Sequence, residues 1–143
     1  MTKLEQYRGI AKRLEAATAS CNTIDVSIAD ALGITLDKAY NDNVGEDWYI
    51  ISGGWPDCLY CWLPYFTNSI DAALGLVGRV LPGWMTCVAT QGVNLGDHAP
   101  TWTWELDQPQ DPEVRPYGRS APTAPLAILK ALFAALIQQE ESK

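Results

Sequence analysis

Thr123-Ala124-Pro125-Leu126-Ala127-Ile128-Leu129-Lys130-Ala131-Leu132-Phe133-Ala134-Ala135-Leu136 is the stretch on which the fold turns. Thr123 offers a side-chain oxygen to an open helix end, and Pro125 fits the first turn, where its missing N–H has no partner to lose. Leu126, Leu129, Leu132, Phe133 and Leu136 then recur at spacings of three and four, with Lys130 the single charge among them. A helix this apolar must bury a broad face, and the expected partner is a sheet.

Upstream, residues 107–125 hold five of the nine prolines, Pro109, Pro112, Pro116, Pro122 and Pro125. Proline fixes φ and donates no ladder hydrogen bond, so this reads as a pinned surface segment with a short edge strand at 114–118. Thr101 to Leu106 alternates with Trp102, Trp104 and Leu106 on one face, and Trp84 to Thr90 reads as a second strand. Between them and the middle of the chain, Asn68 caps a helix through Ile70, Ala73, Leu74 and Val77 that stops at Pro82-Gly83. Trp48 to Ile51 has strand composition, Gly53-Gly54 signals a hairpin, and Pro56 delays the return strand to about 58–63.

The N-terminal third is helical in pattern. Residues 3–19 place Leu4, Tyr7, Ala11, Leu14 and Ala17 on one stripe. Thr23 to Leu32 repeats Ile24, Ile28 and Leu32, with Thr23 or Asn22 as cap and Gly33 at the C-terminal turn. Ile34 to Tyr40 reads as a further helical turn, and residues 41–47 as a solvated acidic loop lacking calcium-loop spacing. Together these elements predict one α+β domain over 1–143, with a helical part at 1–41 and the sheet and last helix at 47–141. The expected architecture is a three-layer α-β-α sandwich on a mainly antiparallel four- or five-stranded sheet. The helix at 69–81 and the C-terminal helix cover one face, and the N-terminal helices cover the other.

Composition narrows the function. The chain has 143 residues, 10 Lys+Arg against 17 Asp+Glu and a net charge of -7, which excludes a general binder of nucleic-acid backbones. No apolar run reaches the roughly 20 residues a membrane span needs. Met1 to Gln6 reads as charged helix rather than signal peptide, so the expected location is the cytoplasm.

Pro64-Tyr65-Phe66-Thr67-Asn68-Ser69-Ile70-Asp71-Ala72-Ala73-Leu74-Gly75-Leu76-Val77 resembles the phage ABA sandwich domain family. Pro82-Gly83-Trp84 matches the turn that follows in that family, and Ala124 to Leu132 resembles its C-terminal helix. The resemblance covers about residues 62–138; Phe66 and the Cys-x-x-Cys depart from it. It implies an α-β-α sandwich from a bacteriophage or prophage in its host's cytoplasm, and it carries over no catalytic residue.

Four cysteines and one histidine are present. Cys58-Leu59-Tyr60-Cys61 has no second pair, and Cys58, Cys61, Cys87 and His98 are the best tetrahedral metal set available. Free thiols on a short strand are the expected state, with no metal and no cofactor. His98 is the one neutral-pH acid/base, and the carboxylates Glu105, Asp107, Asp111 and Glu113 read as a solvated edge, so no catalytic set is expected. Binding is better supplied. Six Trp and six Tyr are present, with Trp48, Trp55, Tyr65 and Tyr117 next to turns. Arg115 and Arg119 bracket Tyr117 on a proline-stiffened segment suited to a phosphate or carboxylate. The candidate ligand set is Arg115, Tyr117, Arg119, Tyr65, Trp55 and His98. The expected function, by analogy with other small phage proteins, is sequestration of a nucleotide-derived immune signal by a homo-oligomer. A cyclic oligonucleotide or a cyclic ADP-ribose variant is the expected ligand class. A protein-binding accessory or virion-associated factor is the alternative, and a small phosphodiesterase using His98 is the third reading.

Overall fold

The computed structural model describes residues 1–41, 46–53, 61–63, 65–91, 101–107 and 119–143; side chains are described at 1–37, 49, 51, 63, 65–84 and 121–143. Helix α1 spans Lys3–Ala16 and opens with a reciprocal cap, in which Thr2 accepts from the Glu5 amide and the Glu5 carboxylate accepts from Thr2. That pairing satisfies two of the amides that a helix start leaves open. Helix α2 spans Asn22–Ala31. It starts behind Cys21 with no side-chain cap, so neither Thr23 nor Asn22 takes the expected role. Its far end follows expectation: Gly33 adopts φ 76°, its amide reaches Asp30, and Ile34 N–H reaches the Ala29 carbonyl at 2.9 Å. This is the left-handed closure for which glycine has no steric cost.

The strands are β1 Thr35–Asn41, β2 Glu46–Gly53, β3 Cys61–Trp62, β4 Met85–Gln91, β5 Thr101–Asp107 and β6 Arg119–Ala121. Helix α3 spans Ile70–Val80 and α4 Ala124–Glu141. Residues 34–40, expected as a helical turn, are strand: Leu36 to Asn41 pair antiparallel with Glu46 to Ile51. The segment's helix-forming Leu, Lys and Ala are overridden by that ladder, as weak local propensity commonly is by long-range pairing. The pairing also draws Asn41, Glu46 and Asp47 out of the expected acidic loop. At α3 the cap is Ser69, whose hydroxyl accepts from Ala72 N–H at 3.2 Å, one residue later than the expected Asn68.

The expected three-layer sandwich on one four- or five-stranded sheet is not what forms. The described strands divide into two separate three-stranded sheets, β1-β2-β3 and β4-β5-β6. β2 has a partner on each side, and so does β5, so each short sheet is complete around its central strand. The N-terminal helices do not form an opposite layer either. α1 packs directly on α4, α2 on α1 and β1, and α4 also meets α3, β5 and β6. The ion pairs Arg8–Glu141 and Glu15–Lys130 show that α1 and α4 run antiparallel.

The reason lies in α4. From Ala124 through Phe133 every residue is buried, so one sheet face cannot cover it, and helices must close the remaining sides. Tyr7 of α1 meets Phe133 edge to face, with ring centroids 5.7 Å apart at 68°. Among the described residues no helix is long and apolar enough to cross a membrane.

Leu129 has 0% exposure in this cluster. Leu129→Ala should cost about 2–5 kcal/mol through lost burial and an unfilled cavity. Urea unfolding should show a lower midpoint at unchanged slope, while Gln139→Ala on the exposed side should shift stability by less than about 0.5 kcal/mol.

Candidate functional site

Three helix ends converge on one side of the molecule. The start of α1 and the ends of α2 and α3 enclose a cleft of about 470 Å³. Lys3, Gln6 and Tyr7 come from α1, Asp30 and Gly33 from the close of α2, and Arg79 from the last turn of α3. Lys3 adds a full charge to the positive end of the α1 dipole, whereas Asp30 sits where the α2 carbonyls already concentrate negative charge. The cleft is therefore bipolar, with Lys3 and Arg79 as well as Asp30 in its lining. Tyr7 forms part of the floor, and burial pushes its hydroxyl pKa up, with Glu140 acting in the same direction.

A second cleft of about 290 Å³ lies between α1 and α2 and shares Gln6, Asp30 and Ala31 with the first. Arg13 lines it. Its guanidinium donates to Ser27 Oγ at 2.6 Å and to Thr23 Oγ1 at 2.8 Å. Both partners are neutral hydroxyls, which fix the group without cancelling its charge.

A polar clasp ties α2 to the turn before α3. Asp25 is 1% exposed and accepts the Thr67 amide at 2.9 Å. The Thr67 hydroxyl in turn accepts from Cys21 N–H at 2.8 Å and donates to the Cys21 carbonyl at 3.3 Å. Burial raises the Asp25 pKa above the ordinary carboxylate value, against the opposing effect of the Thr67 hydrogen bonds. The Cys21 thiol is held below its ordinary value, chiefly by the Thr23 hydroxyl 3.1 Å away and then by the Ile24 amide.

Of the residues singled out by sequence, Tyr65 is 60% exposed on the turn that leads into α3. Arg119 opens β6 opposite Trp104. Trp55, His98, Arg115 and Tyr117 lie outside the described residues, as does the edge strand expected at 114–118. In the expected thiol set, Cys61 pairs with Ile51 in β3 and Cys87 with Glu105 in β4; Cys58 lies outside the described residues. The cleft residues Lys3, Arg13, Asp30 and Arg79 went unread because each looks like ordinary helix surface. A signal was nonetheless present, since a lysine at the first helical position opposes the usual acidic preference there. Comparison with protein-family models, with curated proteins and with solved structures finds no match to this chain.

The Asp25 pKa gives a sign that can be measured. Because the folded value lies above the unfolded one, the unfolded chain releases this proton first. The group's contribution to stability is fully present below the unfolded pKa. It is lost as pH rises through the ordinary carboxylate range towards the raised value. Thermal unfolding should therefore show Asp25→Asn gaining on the parent chain as pH rises from about 3.5, near the unperturbed carboxylate value, to about 7, well above it. Asp25→Ala, which leaves the buried Thr67 amide unpaired, should lose about 1–3 kcal/mol.

Proposed function

We propose that the chain is a non-enzymatic binding protein that takes up a small nucleotide-derived anion and holds it out of circulation. The ligand is a bacterial immune signal of the cyclic oligonucleotide or cyclic ADP-ribose type, and the setting is a phage-infected host's cytoplasm. The observation that carries this reading is the cleft at the three helix ends. Its volume of about 470 Å³ falls within the 300–1,000 Å³ typical of small-molecule sites. Lys3 and Arg79 offer an anion two cations, while Asp30 and Gln6 accept the hydroxyl or amine donors of a nucleoside. The phage setting rests on the resemblance of residues 64–77 and 82–84. A second copy of the chain would add walls to so open a site, which is the reason for proposing a homo-oligomer.

One observation favours the second reading, a protein-binding accessory factor. Tyr65 and Ile70 are 60% and 44% exposed on either side of the clasped turn, and exposed aromatic and aliphatic side chains are common anchors for protein partners.

Filtration separates these readings. The protein is mixed with cyclic di-, tri- and tetranucleotides and cyclic ADP-ribose isomers and filtered. The retained fraction is heat-denatured, and the released material is weighed by mass spectrometry. Sequestration predicts a ligand that leaves the filtrate and returns intact, with retention weakened by Lys3→Gln. Loss on Arg115→Ala or Arg119→Ala at unchanged stability would move the site to the proline-rich segment. If every ligand stays in the filtrate, the reading fails and a protein partner takes its place; a cleaved ligand would identify a phosphodiesterase.

A further inference from the structure

We infer that the groove between α1 and α2 is a binding site for a small zwitterion, a free α-amino acid with an aliphatic side chain. This is the smaller of the two clefts, and it is independent of the anion reading above, which rests on the larger one. Gly9, Ile10 and Arg13 line it from α1, and Ser27, Asp30 and Ala31 from α2. Its volume of about 290 Å³ lies just under the roughly 300 Å³ at which ordinary small-molecule pockets begin, so its occupant is small.

Gly9 makes the space. It stands exposed in the middle of α1, and a Cβ built there would meet nothing within 4 Å. Glycine inside a helix is less stable than alanine, and no described neighbour comes close enough to require it here. What it leaves is an open strip of groove beside Ile10 and Ala31, which are only 4% and 6% exposed. An aliphatic side chain laid on that strip would be withdrawn from water against apolar atoms.

Opposite charges flank the strip. The Arg13 guanidinium is held on Ser27 Oγ and Thr23 Oγ1, which leaves further N–H groups to donate. Asp30 follows Ser27 by three residues on α2, which places their Cβ atoms about 5–6 Å apart on the same side of the helix. Among the described residues neither Arg13 nor Asp30 is in an ion pair. A carboxylate and an ammonium joined through one carbon span such a separation, with a hydrogen bond at each end. Glu5 also lines the cleft, but its Oε2 accepts from the Thr2 amide and hydroxyl, so Asp30 is the carboxylate left to receive an ammonium. Asp30 equally disfavours a plain anion, which would gain at Arg13 and be repelled one helical turn away.

Titration calorimetry of the full chain with L-leucine, leucinamide and 4-methylpentanoate tests this. Leucinamide keeps the ammonium without the carboxylate, and 4-methylpentanoate keeps the carboxylate without the ammonium. Leucine should bind at least ~tenfold tighter than either, the increment of one charge-assisted contact. Arg13→Gln should weaken leucine to a similar extent and leave leucinamide unchanged. Asp30→Asn should weaken leucine as much and leave 4-methylpentanoate no weaker. Gly9→Leu should abolish binding while circular dichroism shows helix content kept or raised, because leucine is the better helix former. No binding of leucine, equal affinity for the three compounds, or undiminished binding by Gly9→Leu would overturn the amino-acid site. The nucleotide filtration, with its Lys3→Gln variant, reads the larger cleft, so either site can fail without the other.

Discussion

A helix that is apolar around most of its circumference has to be enclosed, and the enclosure of α4 governs how everything else is arranged. Ala127, Ala131 and Ala135 recur every four residues with 0% exposure, giving a ridge of small side chains that lets neighbouring elements approach closely. Leu126, Leu129, Leu132 and Phe133 supply the bulk between them. Lys130 is the exception within this buried run. It reaches a carboxylate at the margin, Glu15, at 3.7 Å, so its long stem is covered while its charge finds a partner. No single layer can cover such a helix. α1, α3 and the β5–β6 edge therefore each take one side of it.

That arrangement also explains why the larger cleft lies at helix ends. Along their lengths α1 and α4 fill the groove between them with one another's side chains, as at Tyr7 and Phe133. At the ends the backbone turns away, and a glycine turn such as the one at Gly33 offers no side chain to fill the gap. The space left is bordered by terminal amides and carbonyls and by the polar residues that helix ends select. Packing thus produces a polar concavity as a by-product. The Asp25–Thr67–Cys21 clasp then keeps α2 and the approach to α3, two of the three elements bordering it, in fixed relation.

Much of the local structure was legible in the residues, and the global layering was not. Tyr7 and Leu14 lie buried on α1 as their spacing requires, with Ile10 buried beside them though the stripe read from sequence left it out; Gly33 closes α2, and Thr123 caps α4 by accepting from Leu126 N–H. The alternation of Thr101 to Leu106 is a strand, one residue longer than read. The errors arose where distant pairing or competition among similar caps decides. Residues 35–41 became strand because 46–53 offered a ladder, and Ser69 displaced Asn68 because one residue of register changes which hydroxyl meets the open amide. The split into two sheets depends on which strands find each other, and side-chain periodicity records only which face of a strand is apolar. The clefts were missed for a related reason. Lys3, Asp30 and Arg79 are far apart in the chain, and only the convergence of three helix ends makes them neighbours.

A net charge of -7 looks at first like an objection to any anion site on this chain. Net charge, however, sets the field at a distance, and at physiological ionic strength that field is screened over about 8 Å. Within the clefts the relevant charges are closer than that to any occupant. There Lys3 and the positive end of α1 reinforce each other, and the Ser27 and Thr23 hydroxyls hold the Arg13 guanidinium in place. The surrounding acidity then has a selective effect. It opposes the long, densely charged backbone of DNA or RNA, which cannot avoid the rest of the surface. A small anion confined to a cleft meets the nearby cations before the rest of the surface, so net acidity alone does not exclude an anion site on this chain.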